Sequence, residues 1–158
     1  ARMPKPIFRE NDLIILMNEN IKLLRELDRS ININVLYNAE RVILKSDKEQ
    51  LNRVFFNLIK NSIESILEKA EKDNKIDKNI DIEIRERRDY IIINILDTGI
   101  GFKNKKTKDL IKPYFTTKEK GTGLGLSIVD KIISDHNGSI NFLNKKNGAK
   151  IQIIIQNK

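Results

Sequence analysis

Apolar residues recur along the chain with two periods, and the switches between them lay out the expected elements. Leu13, Leu16, Met17, Ile21, Leu24 and Leu27 stand at helical spacing behind the capping pair Asn11-Asp12, so a first helix is predicted to run to about Leu27. Pro4 and Pro6 forbid a helix before Ile7, which leaves residues 4–9 as an extended lead-in. Residues 32–37 alternate with period two, and residues 41–45 read as a hairpin partner across Asn38-Ala39-Glu40. Ser46 and Asp47 cap a longer helix, 47–69, whose positions Val54, Phe55, Leu58, Ile59, Ile63 and Ile66 cover one broad apolar face. After a polar linker at 75–78, residues 80–87 and 90–96 predict an antiparallel pair across Arg88-Asp89. Some twenty residues without a period follow. A further helix with Ile128, Val129, Ile132 and Ile133 inward then closes at Asp135-His136-Asn137-Gly138, where Asn137 or Gly138 supplies a left-handed cap. Residues 139–143 and 149–156 end the chain as a hairpin over Lys146-Asn147-Gly148.

Composition narrows this picture. A chain of 158 residues makes one domain, long enough to bury a core without disulfides or metal staples. It has no cysteine, which fits a reducing compartment. No apolar run approaches the roughly 18 residues of a membrane helix, and Ala1-Arg2-Met3-Pro4-Lys5-Pro6 lacks a signal-peptide layout. The chain is therefore expected to be soluble and cytoplasmic, and to begin abruptly, as a fragment does. Its net charge of +8 suits phosphate-bearing ligands as well as nucleic acid or membrane surfaces. Seven lysines fall between 103 and 120 against two acids, Asp109 and Glu119. A periodless stretch of that length in a compact domain is expected to be a lid, mobile until phosphates arrive, with Tyr114 and Phe115 anchoring it.

Three stretches carry candidate chemistry. In Asp97-Thr98-Gly99-Ile100-Gly101 a carboxylate ends a β-branched run and two glycines free the backbone after it. An ionised Asp only accepts hydrogen bonds, and the amino group of adenine donates them. On its own the pattern also describes an ordinary turn. On the second helix Asn57, Lys60, Asn61 and Glu64 lie within about 100° of one another, opposite the apolar face. Asparagine is a mediocre mid-helix residue, and its carbonyl is a hard oxygen ligand of the kind Mg²⁺ accepts beside waters and phosphates. Finally, Gly121-Thr122-Gly123-Leu124-Gly125 opens the third long helix, where free N–H groups and the helix dipole favour phosphate. This run fits neither the dinucleotide fingerprint nor the P-loop.

Taken together, Asn57-x3-Asn61, Asp97-x-Gly99-x-Gly101, Pro113-Tyr114-Phe115-Thr116 and Gly121-Thr122-Gly123-Leu124-Gly125 resemble, in order and spacing, the N, G1, F and G2 boxes of the catalytic, ATP-binding domain of bacterial sensor histidine kinases. The likeness covers residues 7–158. Residues 1–6 look like the end of a linker from a dimerisation domain, in the manner of NtrY-type nitrogen-regulation kinases. The resemblance implies the Bergerat (GHKL-type) fold, a two-layer α/β sandwich with a mostly antiparallel sheet, helices on one face and an ATP lid. It implies that Asp97 binds the adenine amino group, that Gly99 and Gly101 shape its pocket, and that Asn61 ligates Mg²⁺ with Asn57 alongside. Gly123, Leu124 and Gly125 would line the triphosphate, and Thr117, Gly121 and Thr122 would belong to the same nucleotide-binding site. Glu64 stands where several relatives place a lysine, so Lys60 or Lys118 would supply that charge. Gly148-Ala149 replaces a common Gly-Thr, which removes a threonine contact near adenine.

The reaction so implied moves the ATP γ-phosphoryl group to a histidine on a separate dimerisation domain, and from there to an aspartate of a response regulator. The full-length kinase would be a homodimer, anchored in the inner membrane, with no nucleic-acid partner. Such transfer rests on positioning and charge neutralisation. The rival within the fold is an ATPase of the gyrase, Hsp90 and MutL kind, which places a glutamate where Asn57 stands; an amide cannot take a proton from water. His136, the one histidine, is expected to be structural. It ends a helix, where an imidazolium suits the dipole, and lies roughly 18 Å along that helix from the phosphate end.

Overall fold

The computed structural model describes residues 3–103, 106–112 and 125–157. Within them β1 (Arg9–Asp12) leads into α1 (Leu13–Arg25), β2 (Asn32–Tyr37), β3 (Ile43–Ser46) and α2 (Lys48–Lys72). Next come β4 (Asn79–Glu86), β5 (Tyr90–Asp97), the single turn α3 (Thr107–Leu110), α4 (Gly125–Asp135), β6 (Gly138–Lys145) and β7 (Gly148–Gln156). Five strands form one sheet in the order β2-β4-β5-β7-β6, with β5 at its centre. β2 runs parallel to β4 and the other neighbours are antiparallel.

One face of the sheet is almost entirely isoleucine, set out in cross-strand rows. Ile84, Ile93, Ile153 and Ile140 make one row, and Ile82, Ile95, Ile151 and Phe142 the next. Leu51, Val54, Phe55, Leu58, Ile59 and Ile66 of α2, with Val129, Ile132 and Ile133 of α4, are buried in the same core. Residues alternating with period two on the strands meet residues spaced by three and four on the helices, so the two layers share one apolar interior. The third row, Ile80, Asp97, Ala149 and Asn144, breaks the pattern. There an aspartate takes an isoleucine's place.

Two expectations are corrected. Residues 32–37 and 41–45 do not form a hairpin: β2 pairs with β4, and β3 pairs with β1 in a separate two-stranded sheet. Asn38-Ala39-Glu40 lacks the glycine of a tight turn, and Asn38 is committed elsewhere, its side chain exchanging hydrogen bonds with the backbone of Glu86. The parallel pair is closed instead by a crossover that includes α2. The stretch 103–120 is also not wholly loose. Thr107 Oγ1 accepts the Phe142 N–H at 2.9 Å and Leu110 is buried, so α3 is fastened to β6. Tyr114 and Phe115, the anchors expected there, lie outside the described residues, as do Thr117 and Lys118.

Smaller boundaries moved by a turn or less. Asp12 caps α1 as expected, its carboxylate accepting the Ile14 N–H, but the helix stops at Arg25 and leaves Leu27 exposed. Asp47 caps α2 through Gln50 N–H, and that helix extends to Lys72. Asn137, at φ 59°, supplies the left-handed residue after α4.

Candidate functional site

Asp97 is the last residue of the central strand and points into the core side of the sheet, only 3 % exposed. The turn that follows is fastened on three sides. Gly99 N–H donates to Asp97 Oδ1 at 2.9 Å, which folds the turn back on its own carboxylate. Thr98 Oγ1 donates to Asp77 C=O at 2.6 Å and accepts the Asn79 N–H at 3.1 Å, tying the turn to the start of β4. Ile100 N–H donates to Ser65 Oγ of α2 at 2.9 Å, and Phe102 N–H to Asn144 Oδ1 of β6 at 2.7 Å. Burial raises the Asp97 carboxyl above its ordinary range, and the Gly99 and Ala149 N–H groups, Ser62 and Lys145 only partly offset this.

Glycine is required at two points of this turn. A Cβ on Gly99 would collide with the Ser65 side chain and backbone, and Gly101 adopts φ +75°, with Asn144 Oδ1 at 2.7 Å from where its Cβ would lie. On the facing hairpin, a Cβ on Gly148 would strike the Asp97 carbonyl. Ala149, the residue expected to leave out a threonine contact, lies directly across from Asp97 in the sheet.

The α2 residues singled out earlier lie together on the side of the helix away from the buried apolar face. Asn57, Asn61 and Glu64 are half-buried, whereas Lys60 is exposed with its ammonium 5.9 Å from the centroid of the Phe56 ring. Asn61 immediately precedes Ser62, whose side chain abuts Asp97, so the helix brings the asparagine pair to the same end of the sheet as the carboxylate. Gly125 begins α4, and a Cβ there would meet no described atom within 4 Å. Packing among the described residues therefore does not demand glycine at that position. Gly121, Thr122, Gly123 and Leu124 lie outside the described residues.

Ser62 and Ser65 are the participants that pattern reading missed. The signal was present: Ser62 falls between Leu58 and Ile66 at spacings of four, a polar residue inside the apolar stripe. Ser65, three residues on, turns toward the same loop.

His136 lies at the other end of the sheet, 4 % exposed. Its Nε2 accepts the Asp47 N–H at 3.0 Å and its Nδ1 lies 2.7 Å from the Ile132 carbonyl, so the proton is on Nδ1 and the ring is neutral. This corrects the expected imidazolium: the ring serves as an acceptor for a backbone N–H, not as a charge at a helix end. Phe8 packs edge-on against it with centroids 5.0 Å apart. Asp47 Oδ2 accepts the Ile7 N–H at 2.9 Å, and Gln50 Nε2 donates to the Pro4 carbonyl at 3.0 Å. Both ring nitrogens are engaged, and the imidazole is enclosed by the leading segment.

A two-layer sandwich with a buried aspartate on a glycine turn, facing an asparagine-bearing helix, defines the nucleotide-binding sandwich expected from the sequence. The chain belongs to the family of histidine kinase-, DNA gyrase B- and HSP90-like ATPases, whose profile matches residues 46–158. A putative NtrY-like sensor histidine kinase of Rickettsia felis is 34 % identical over 158 residues, 97 % of this chain and 25 % of the relative. The nitrogen regulation protein NtrY of Azorhizobium caulinodans is 32 % identical over 143 residues, 89 % of this chain and 18 % of that protein. Among solved structures, the nucleotide-free catalytic domain of histidine kinase ThkA matches with a TM-score of 0.82 at 29 % identity, covering 96 % of each chain. ThkA has also been solved in complex with response regulator protein TrrA; that structure matches with a TM-score of 0.77 at 25 % identity, over 96 % of this chain and 42 % of that one. The chain is thus homologous to the catalytic domains of sensor histidine kinases, and it spans about a quarter of the length of its Rickettsia relative. Among the described residues no helix is long and apolar enough to cross a membrane.

Proposed function

We propose that this domain binds ATP with Mg²⁺ and presents the γ-phosphoryl group to a histidine on a separate dimerisation domain of the same kinase. The observation that carries this reading is Asp97: a carboxylate in the core row of the sheet, on a turn fastened to α2, β4 and β6. Such a group costs stability unless a ligand uses it. An ionised acceptor there matches the exocyclic amino group of adenine and opposes the carbonyl of guanine.

The ion is assigned to Asn61 with Asn57 beside it. The Asn61 amide oxygen would share the ion with phosphate oxygens and water, the ligand set that Mg²⁺ accepts. Mg²⁺ supplies neutralisation of phosphate charge. Gly125 and the glycines before it would face the triphosphate, with Lys60 or Lys118 as the nearest cations. Asn57, an amide, has no basic oxygen with which to deprotonate water, which favours phosphoryl transfer over hydrolysis. The proposed partners are the dimerisation domain, a homodimeric second copy of the kinase and a response regulator, on the cytoplasmic side of the membrane.

The test is calorimetric titration of this domain with Mg-ATP, followed by incubation with labelled ATP, alone and with a separately produced dimerisation domain. ATP binding with acid-labile label only on the added domain is the expected result. Label on this chain alone, abolished by His136→Gln, would overturn the two-domain mechanism.

A further inference from the structure

The five-stranded sheet has two edges, and the fold treats them differently. At the β6 edge the N–H and C=O of Phe142 are both taken by Thr107 of α3, whose Oγ1 accepts the first at 2.9 Å and donates to the second at 3.4 Å. The β2 edge has no such cover. Asn32 N–H donates to the Lys78 carbonyl at 2.9 Å and Asn38 N–H to the Ile84 carbonyl at 3.2 Å, so the even-numbered residues of the strand bond toward β4. Ile33, Val35 and Tyr37 therefore turn their N–H and C=O groups outward, where no strand lies among the described residues. The one side chain there that reaches them is Arg25, whose Nη2 donates to the Ile33 carbonyl at 2.7 Å. Natural edges are blunted by lysine, proline, a bulge or a very short strand. β2 reads Asn-Ile-Asn-Val-Leu-Tyr, six residues in unbroken register with no charge and no proline. Val35 points to the helix layer yet is 43 % exposed, and Leu36 on the other face is 60 % exposed.

One stripe of α1 runs alongside this edge. Tyr37 Oη donates to Asn18 Oδ1 at 2.8 Å while Arg25 reaches Ile33, so the helix lies antiparallel to β2. Lys22, between them at helical spacing, belongs to the same stripe. Arg29, four residues beyond Arg25, lines with it a cleft of about 380 Å³ that residues 31–34 complete. The acid in that cleft, Glu26, is already paired with Arg29 at 2.7 Å. Lys22 and Arg25 enter no ion pair among the described residues.

We infer that the β2 edge is a docking site for an extended acidic segment of a partner protein, which adds to the sheet as a further strand beside Ile33, Val35 and Tyr37. Open N–H and C=O groups in alternation select a polypeptide, because a nucleic-acid strand carries no matching backbone donors and acceptors. The α1 stripe selects its charge. Side chains of an added strand alternate between faces, so those on the helix side meet Lys22 and Arg25 and are carboxylates, whereas those on the other side meet Leu36 and are apolar. A second copy of this chain fits badly, since pairing β2 with β2 brings two cationic stripes together.

Fluorescence anisotropy of this domain with a labelled octapeptide of alternating Glu and Val tests the assignment. The controls are the alternating Lys-Val peptide, an oligothymidylate, and the acidic peptide N-methylated either on its Glu or on its Val residues, which silences one strand edge at a time. The acidic peptide is expected to bind and the basic one not, and one of the two N-methylated forms is expected to bind at least about tenfold more weakly. Lys22→Glu, an exposed change expected to melt with the parent, should weaken the acidic peptide about five- to tenfold at low salt. Val35→Pro should weaken it as well, because it removes an outward N–H without touching the ladder to β4. Absence of binding, equal binding of both N-methylated forms and the unmodified peptide, or parental affinity in Lys22→Glu each overturns the proposal. So does an oligothymidylate held as tightly as the peptide and released by Lys22→Glu, which gives the stripe to nucleic acid. A dimer in sedimentation that Val35→Pro abolishes overturns it too, and gives the edge to a second copy.

Discussion

Asp97 and His136 are buried to nearly the same depth and flank the same strand, one opposite Ala149 at the start of β7 and the other beside its end, some seven residues or roughly 23 Å away. Each is a titratable group in an apolar core, yet their surroundings differ in kind. His136 has a partner for each ring nitrogen and an aromatic edge against its face. Asp97 has the Gly99 and Ala149 N–H groups and the Ser62 hydroxyl beside its carboxylate, and burial still raises its pKa above the ordinary range, a record of incomplete compensation. A saturated group holds a structure together, whereas an under-satisfied one in a fastened turn is poised for something that is not protein.

The largest effect should come from emptying the saturated end. His136→Ala removes a buried ring, orphans the Asp47 N–H and frees Phe8, and is expected to cost about 2–4 kcal/mol in denaturant unfolding. ATP affinity of the folded fraction should be unchanged. A variant that unfolds like the parent would show that this junction is not structural, and a selective loss of ATP binding would erase the contrast between the two ends.

Asp97→Asn should do the reverse. At neutral pH the ionised carboxylate is held where burial opposes charge, so the amide is expected to leave ligand-free stability unchanged or higher. ATP affinity should fall by about 10- to 100-fold, the worth of a charge-assisted hydrogen bond of ~1.5–3 kcal/mol, with selectivity over GTP lost as well. Unaltered ATP binding would make the adenine assignment wrong.

These two ends were not equally legible in the sequence. Asp97 and its glycines could be read because a β-branched run, a carboxylate and two turn residues are all local. The serines of α2 could not, since what makes Ser65 matter is a backbone N–H 35 positions away. The hairpin assigned to 32–37 and 41–45 failed for the same reason: alternation predicts strands but not neighbours, and the choice was made by Asn38 bonding to Glu86 and by the α2 crossover. His136 was read as structural from its position after a helix, but as a charged ring meeting the helix dipole. Its neutral tautomer followed only from Asp47 N–H, brought to it from a distant part of the chain.

Ser65→Ala addresses the fastening of the turn. The Ile100 N–H would lose its acceptor, and ATP affinity is expected to drop about three- to tenfold, near 1 kcal/mol, with a comparable loss of stability. Full ATP affinity would mean that the links to β4 and β6 hold the Asp97 turn without α2.

The smallest effect, and the one that compares the two ends most directly, is the pH dependence of unfolding. Two carboxylates titrate with opposite signs. At Asp47 burial acts to raise the pKa, but the N–H groups of Ile7, Gln50 and Glu49 outweigh it and hold the carboxyl below its ordinary value. Its contribution is therefore fully present above the unfolded pKa of about 3.9 and is lost as pH falls through the lower folded value. At Asp97 the folded pKa is raised, so the folded state holds the proton over a window beginning near the unfolded value and extending upward, and stability declines as pH rises through it. Unfolding measured in denaturant from pH 3 to pH 7 should accordingly show Asp47→Asn flattening the acid limb and Asp97→Asn flattening the decline above it. Saturating Mg-ATP should act at the Asp97 end alone, pulling its pKa down because the bound amino group requires the ionised carboxylate, and so shifting the decline without moving the acid limb. If nucleotide instead altered the slope that Asp47→Asn removes, the leading segment and the purine turn would be energetically one region, and the contrast between a structural end and a binding end would not survive.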